Sequence, residues 1–120
     1  MITLKTLEKA SAQEVFDHIS EHLLTQNKKC TDNKICVYSN FKGLKCAAGC
    51  LISDNEYNPK FEGNSWGALV QNNAVPSTHV SLIRQLQYMH DEYDPEEWID
   101  FLCDIASQNN LSPQILNKFQ

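Results

Sequence analysis

The sequence predicts a mainly α fold carrying a small irregular or β insertion (α+β), built as a single compact domain over residues 1–120. Three observations predict it. Apolar residues recur at helical spacing near the start and again through the last third. Glycine and proline punctuate the middle, and the β-forming residues are confined to one short run there. A helical framework over 4–27 and 77–119 is expected to hold a cysteine-containing β or loop insertion at 35–70.

Residues 4–9 read as a short turn of helix. Ser11 followed by Glu14 is a capping-box pattern, and Val15, Phe16, Ile19, Leu23 and Leu24 then share one face, which predicts an amphipathic helix over 12–26. Asn27 to Lys34 is polar and reads as a loop. Ile35 to Ser39 reads as a short strand, and Asn40-Phe41-Lys42-Gly43 as a turn in which Gly43 takes positive φ. Leu44 to Ile52 fits either a second hairpin strand or a tightly packed buried helix, because periodicity does not separate the two in so short a run. Ser53 to Gly67 is turn-rich, and its aromatics Tyr57, Phe61 and Trp66 should fold it onto the core. Gly67 to Val70 reads as a short strand or turn.

Ser77 or Thr78 is expected to cap a helix running to about Glu92, with Val80, Leu82, Ile83, Leu86 and Met89 on its apolar side. Asp94 as cap, Pro95 at the first helical position and Glu97 at the third predict a helix over 95–108, with Trp98, Ile99, Leu102, Cys103 and Ala106 as the buried stripe. Ser112-Pro113 repeats the device for a last short helix ending near Phe119.

A chain of 120 residues with 42% hydrophobic side chains can bury its own core without disulfides or metal. No apolar run approaches the roughly 20 residues that span a bilayer. The opening Met1 to Ala10 lacks the apolar centre of a signal peptide. The expectation is a cytoplasmic protein with no membrane association. The formal charge of -5 hides an asymmetry: up to residue 84 there are nine basic and eight acidic side chains, whereas beyond it Lys118 alone faces seven acids. Such a field repels a phosphate backbone and favours a basic partner, and its plainer reading is a solvated helical surface. Asp91, Glu92, Asp94, Glu96, Glu97 and Asp100 form the candidate docking set for a protein partner. With Arg84 as the only arginine, direct nucleic-acid binding is disfavoured, despite Lys28, Lys29, Lys34, Lys42 and Lys45. Oligomeric state is not encoded in any pattern found.

Of five cysteines, Cys30, Cys36, Cys46 and Cys50 lie within 21 residues, spaced C-x5-C, C-x9-C and C-x3-C, without the C-x2-C knuckle of strong zinc motifs. If 44–52 is helical, Cys46 and Cys50 share a face, as do His18 and His22 on the first helix, and a zinc site from these four is geometrically available. The plainer reading makes Cys46 and Cys50 small buried hydrophobes, with Cys103 in the core as well. A nucleophilic cysteine needs a partner that lowers its pKa. Lys34 and Lys45 neighbour Cys36 and Cys46, and His79 or His90 could supply a base, but nothing in the sequence brings them together. G-x-G-x-x-G, P-loop and H-E-x-x-H patterns are absent, so no catalytic residue and no cofactor is assigned. Ala47, Ala48 and Gly49 lack bulk and permit close backbone approach, as tight packing or as a pocket floor. Tyr38, Tyr57 and Trp66 are natural walls for such a pocket, with Cys36, Cys46 and Cys50 as its reactive candidates.

The stretch Cys36-Val37-Tyr38, then Gly43-Leu44-Lys45-Cys46-Ala47-Ala48-Gly49-Cys50-Leu51-Ile52, stands between His22-Leu23-Leu24-Thr25-Gln26 and Tyr57 with Glu62-Gly63. Over roughly residues 12–63 it resembles a family of small uncharacterised proteins encoded in bacterial and phage genomes. The resemblance implies an architecture and a genomic setting, and no mechanism. It implies cysteines at Cys36, Cys46 and Cys50 and glycines at Gly43 and Gly49, with Cys30 peculiar to this chain.

Three functions are consistent with these patterns. The first is a small intracellular, non-enzymatic protein-binding module, in a phage setting a modulator or inhibitor of a host protein. The second is a small enzyme or ligand sensor whose pocket is built from 36–66. The third is a structural zinc module. A pocket holding one of the cysteines within reach of a histidine or aspartate favours the second, and an exposed aromatic patch beside the acidic helices favours the first.

Overall fold

The computed structural model describes residues 1–120. Its longest helix, α2 (Ala12–Gln26), follows a single turn, α1 (Leu4–Leu7). The capping box at its start is formed: the Ser11 hydroxyl accepts the Glu14 N–H at 3.1 Å, and the Glu14 carboxylate accepts the Ser11 N–H at 2.8 Å. These bonds hold the Glu14 carboxyl below its ordinary range. Asn27, at φ 53°, closes the helix in the left-handed conformation that Asn tolerates better than most residues. Val15, Phe16, Ile19 and Leu23 are completely buried on the inward face.

The polar stretch after α2 holds a strand as well as a loop. Strands β1 (Thr31–Asp32) and β2 (Ile35–Cys36) form a minimal antiparallel hairpin, with Thr31 opposite Cys36 and Asp32 opposite Ile35. Its two-residue turn, Asn33-Lys34, has φ of 52° and 69°. Such a turn needs both central residues at positive φ, and Asn meets that demand while Lys hides it in a sequence reading.

Residues 44–52 are neither strand nor α-helix. Lys45 bridges to Ser39, Cys46 N donates to Tyr38 O at 3.2 Å, and the chain turns into a 3-10 turn at Gly49–Leu51. Side chains of α2 hold this segment in place. His22 Nε2 donates to Lys45 O at 2.8 Å, His18 Nε2 lies 3.1 Å from Cys50 O, and Gln26 bonds both N and O of Lys45. Gly49 is required by contact: a Cβ there would lie 2.0 Å from Tyr38 O.

After a 3-10 turn at Pro59–Phe61, helix α3 (Trp66–Gln71) replaces the strand or turn expected for Gly67–Val70. Ser65 caps it by accepting the Ala68 N–H at 3.1 Å. The insertion therefore carries a helix of its own.

Helix α4 (Val80–Glu92) packs against α2, α3 and α5 (Trp98–Gln108). Its cap is His79, at φ 55°, and not Ser77 or Thr78. The His79 ring bonds Ala10 O at 2.7 Å, and the helix starts one residue later than a Thr78 cap would set it and two later than a Ser77 cap. Leu82, Ile83, Leu86 and Met89 are buried, while Val80 is half-buried. A 3-10 turn, Pro95–Glu97, leads into α5, whose buried residues are Trp98, Leu102, Ile105 and Ala106. Ile99 and Cys103 sit on its flank, half-buried, so Cys103 packs against the core without being enclosed by it. The last element is a 3-10 turn, Gln114–Phe119, tied to α2 by paired bonds between Gln13 and Ser112. One contiguous apolar cluster joins all of these parts, giving a single mainly α domain with a small two-stranded sheet. No helix is long and apolar enough to cross a membrane.

Candidate functional site

Four residues of α4 line one cleft: Arg84, Gln87, Tyr88 and Asp91. Their spacing is i, i+3, i+4, i+7, which puts them on one face of a helix. The facing wall comes from β2 and the chain after it (Cys36, Val37, Tyr38) and from the approach to α3 (Glu62 to Trp66), with Cys46 at the base. The cavity measures about 290 Å³. That is at the small end of ligand pockets, which run roughly 300–1,000 Å³.

The facing wall is built rigidly. The Glu62 carboxylate accepts the N–H groups of Tyr38 (3.0 Å) and Ser39 (3.3 Å) and the Tyr57 hydroxyl at 2.7 Å. Burial and this carboxylate push the Tyr57 phenol up to about 12. Tyr38 donates its hydroxyl to Asn64 O and meets Trp66 edge-on, ring centres 6.3 Å apart. Burial raises the Tyr38 phenol far above its ordinary value. The Trp66 Nε1–H is buried and has no acceptor in the protein.

On the helical wall the groups differ in how committed they are. Gln87 Oε1 accepts the Ala48 N–H at 2.8 Å and its amide donates to Asp91 Oδ1 at 2.8 Å, so both of its polar atoms are engaged within the protein. Tyr88 is 61% exposed at the mouth. Arg84 lies across Gly67, whose added Cβ would meet its Nε at 3.6 Å. Its guanidinium pairs with no carboxylate of the protein.

At the other end of the cleft, Cys36, His90 and Asp91 bring a thiol, an imidazole and a carboxylate within 4.8 Å of one another. His90 is fully buried and stacks on Trp98. Its Nε2 accepts the N–H of Cys30 at 3.1 Å, so its proton sits on Nδ1 and is donated to Asp91 Oδ1 at 2.8 Å. That tautomer leaves Nδ1 no lone pair for a metal. Coordination there would require a second N–H facing the amide of Cys30. The trio therefore does not fit a metal centre. Burial, and then the Asp91 carboxylate, push the Cys36 thiol up to about 11, so at neutral pH it is a protonated thiol and a weak nucleophile.

The sequence-derived candidates divide. Cys36, Tyr38, Cys46 and Trp66 line the cleft. Tyr57 reaches it only through Glu62, and Cys50 does not line it. Cys46 is enclosed, with its sulfur accepting the Gly49 N–H at 3.3 Å and its thiol raised well above the ordinary value by burial. Cys50 donates its thiol to Ala47 O at 3.1 Å. His18 and His22 spend Nε2 on backbone carbonyls, and the four residues His18, His22, Cys46 and Cys50 do not converge as a ligand set. Of the acidic set, Asp91 belongs to the cleft. Glu92, Asp94, Glu96, Glu97 and Asp100 are exposed around the α4–α5 corner, beside the half-buried stacked rings of Tyr93 and Phe101, 3.9 Å apart. Asp94 approaches Lys29 at 3.9 Å, and Glu97 accepts the Asp94 N–H.

The residues missed from sequence are Arg84, Gln87 and Tyr88 as one stripe, Glu62 as anchor, and His90 as the buried link. The stripe was present as a polar i, i+3, i+4, i+7 pattern on a helix with a separate apolar side. No protein-family model, curated protein or solved structure matches the chain.

Proposed function

We propose that the protein is a small-ligand binding module, a sensor or a small enzyme, whose site is the cleft between α4 and residues 36–38 and 62–66. One observation carries this reading. The cleft gathers aromatic walls, an unpaired guanidinium and a thiol–carboxylate pair in one concavity, the pair backed by the buried His90 imidazole, on wall segments held by part-buried hydrogen bonds. Unpaired polar groups on a rigid frame supply orientation, and the exposed Tyr88 ring, with the nearly buried Tyr38 and Trp66 in the lining, supplies apolar contact. The raised thiol argues for binding over resting nucleophilic catalysis. Cys36 also supplies the test. It is the partly exposed thiol of the cleft, so a small-molecule fragment that occupies the site slows its alkylation, while alkylation of Cys103 on the α5 flank continues unchanged. A broad fragment library in which no compound protects Cys36 selectively would refute the reading.

A second reading has its own support. The acidic corner of α4 and α5 stands beside the Tyr93–Phe101 stack, a combination suited to a basic protein segment. Pull-down of a basic peptide that is lost in a Glu96→Lys, Glu97→Lys, Asp100→Lys variant is the result expected if this surface docks a protein.

A further inference from the structure

We propose that the cleft takes a dipolar aromatic ligand, its carboxylate on Arg84 and its ammonium or N–H donor toward Asp91, the two separated by a ring. The proposal rests on the cleft being the functional site. Arg84 and Asp91 are seven residues apart on α4, which places their Cα atoms about 10.5 Å apart along the helix axis. A ligand that satisfies both therefore needs its charges at opposite ends. An ordinary α-amino acid carries both on one carbon and fits poorly.

Each end has its own argument. Arg84 is the chain's only arginine and is unpaired. A planar fork of donors matches a carboxylate in bidentate fashion. A phosphate would call for further donors, and no glycine-rich loop or second arginine stands beside it. At the opposite end, the half-buried Asp91 takes the amide of Gln87 and the ring N–H of His90 on Oδ1, with the Cys36 thiol beside its carboxylate, and the group still lines the open cleft. Glu62 adds a second carboxylate to the walls. Two acids against one guanidinium disfavour a purely anionic ligand and favour one that brings a cationic or donor group of its own. Between the ends, the exposed Tyr88 ring, with the nearly buried Tyr38 and Trp66 in the lining, suits a flat apolar centre, and the cavity of about 290 Å³ restricts the ligand to metabolite size.

The test is titration calorimetry with 4-(aminomethyl)benzoate, whose two charges stand across one ring. The comparators are 4-methylbenzoate, 4-methylbenzylamine, phenylalanine and phenyl phosphate. Binding of the dipolar compound at least tenfold tighter than each comparator is expected. Arg84→Gln should weaken it at least tenfold and leave 4-methylbenzylamine within twofold. Asp91→Asn should do the converse, weakening the amine and sparing 4-methylbenzoate. Because Asp91 also holds His90 and Gln87, that variant is read only alongside an unchanged tryptophan emission spectrum, and Arg84→Gln, on an exposed side chain, carries the test by itself. Equal affinity for a singly charged comparator, a preference for phenyl phosphate, or no saturable binding of the dipolar compound would overturn the ligand class. If one of those comparators still protects Cys36 from alkylation, the class has failed and the cleft has not. If no fragment of any chemistry protects Cys36, the cleft reading itself has failed.

Discussion

The backbone N–H of Cys30 donates to Nε2 of His90 at 3.1 Å, so a fully buried imidazole joins the hairpin to α4 across sixty residues of sequence. The same ring donates its Nδ1–H to Asp91 Oδ1 at 2.8 Å and so orients the acidic end of the cleft. His90→Phe keeps ring volume and stacking on Trp98, and removes both bonds. It leaves the Cys30 amide buried without an acceptor, which costs on the order of 2–4 kcal/mol. Urea unfolding measures this, and a loss below about 0.5 kcal/mol would show that the link is dispensable.

Gly49 sits where any side chain meets backbone, its hypothetical Cβ 2.0 Å from Tyr38 O. Gly49→Ala must push apart the 38 and 46–51 segments, and a cost of at least about 3 kcal/mol, or failure to accumulate folded protein, is expected. Gly43→Ala is the control. Its Cβ meets nothing within 4 Å, but φ is +84°, so a penalty of about 1 kcal/mol is expected. Thermal denaturation of the pair should rank them in that order.

Cys36 should alkylate slowly at pH 7. Its thiol is raised to about 11, first by burial and then by Asp91. The thiolate fraction, and with it the rate, should climb about tenfold per pH unit until that value is approached. Asp91→Asn removes the nearby negative charge, lowers the thiol's pKa and speeds alkylation at every pH below it. Peptide-resolved mass spectrometry of iodoacetamide labelling checks both. A Cys36 that labels at pH 7 as fast as a free thiol would contradict the described environment.

His22 supplies a pH dependence with a definite sign. Burial, opposed by its bond to Lys45 O, holds its pKa below the ordinary 6.5. Between the folded value and 6.5 the unfolded chain binds more protons, so stability rises with pH there and is fully present above 6.5. Acidification from pH 7 toward 5 should therefore destabilise the native protein more than His22→Gln, which retains a donor for Lys45 O but does not titrate. Urea midpoints at pH 5, 6 and 7 for both proteins test this; parallel pH profiles would refute it.

Much of the framework was legible because it rests on local rules. The Ser11–Glu14 box and five apolar positions set α2 over residues 12–26, as expected. The elements misread are those governed by contacts distant in sequence. Leu44 to Ile52 takes its shape from His18, His22 and Gln26, which no local pattern reveals. Gly67 and Val70 spoke against a helix, and Ser65 as cap together with burial of Trp66 and Leu69 outweighed them. In the site, Cys36, Tyr38 and Trp66 stood out as residue types, whereas Arg84, Gln87 and Tyr88 resembled an ordinary solvated helix face until the opposite wall was in place. Asp91 read as part of a run of surface charge, and only the fold turns it inward beside Cys36.

On the reading proposed above, this cleft is where the protein binds. An amide chemical-shift titration of the 15N-labelled protein with a fragment library tests it most directly. Saturable shifts concentrated at residues 36–39, 62–66 and 84–91 are expected, diminished for carboxylate-bearing fragments in Arg84→Gln. Saturable shifts centred instead on the acidic corner at 94–104, or none in the cleft with any fragment, would contradict it.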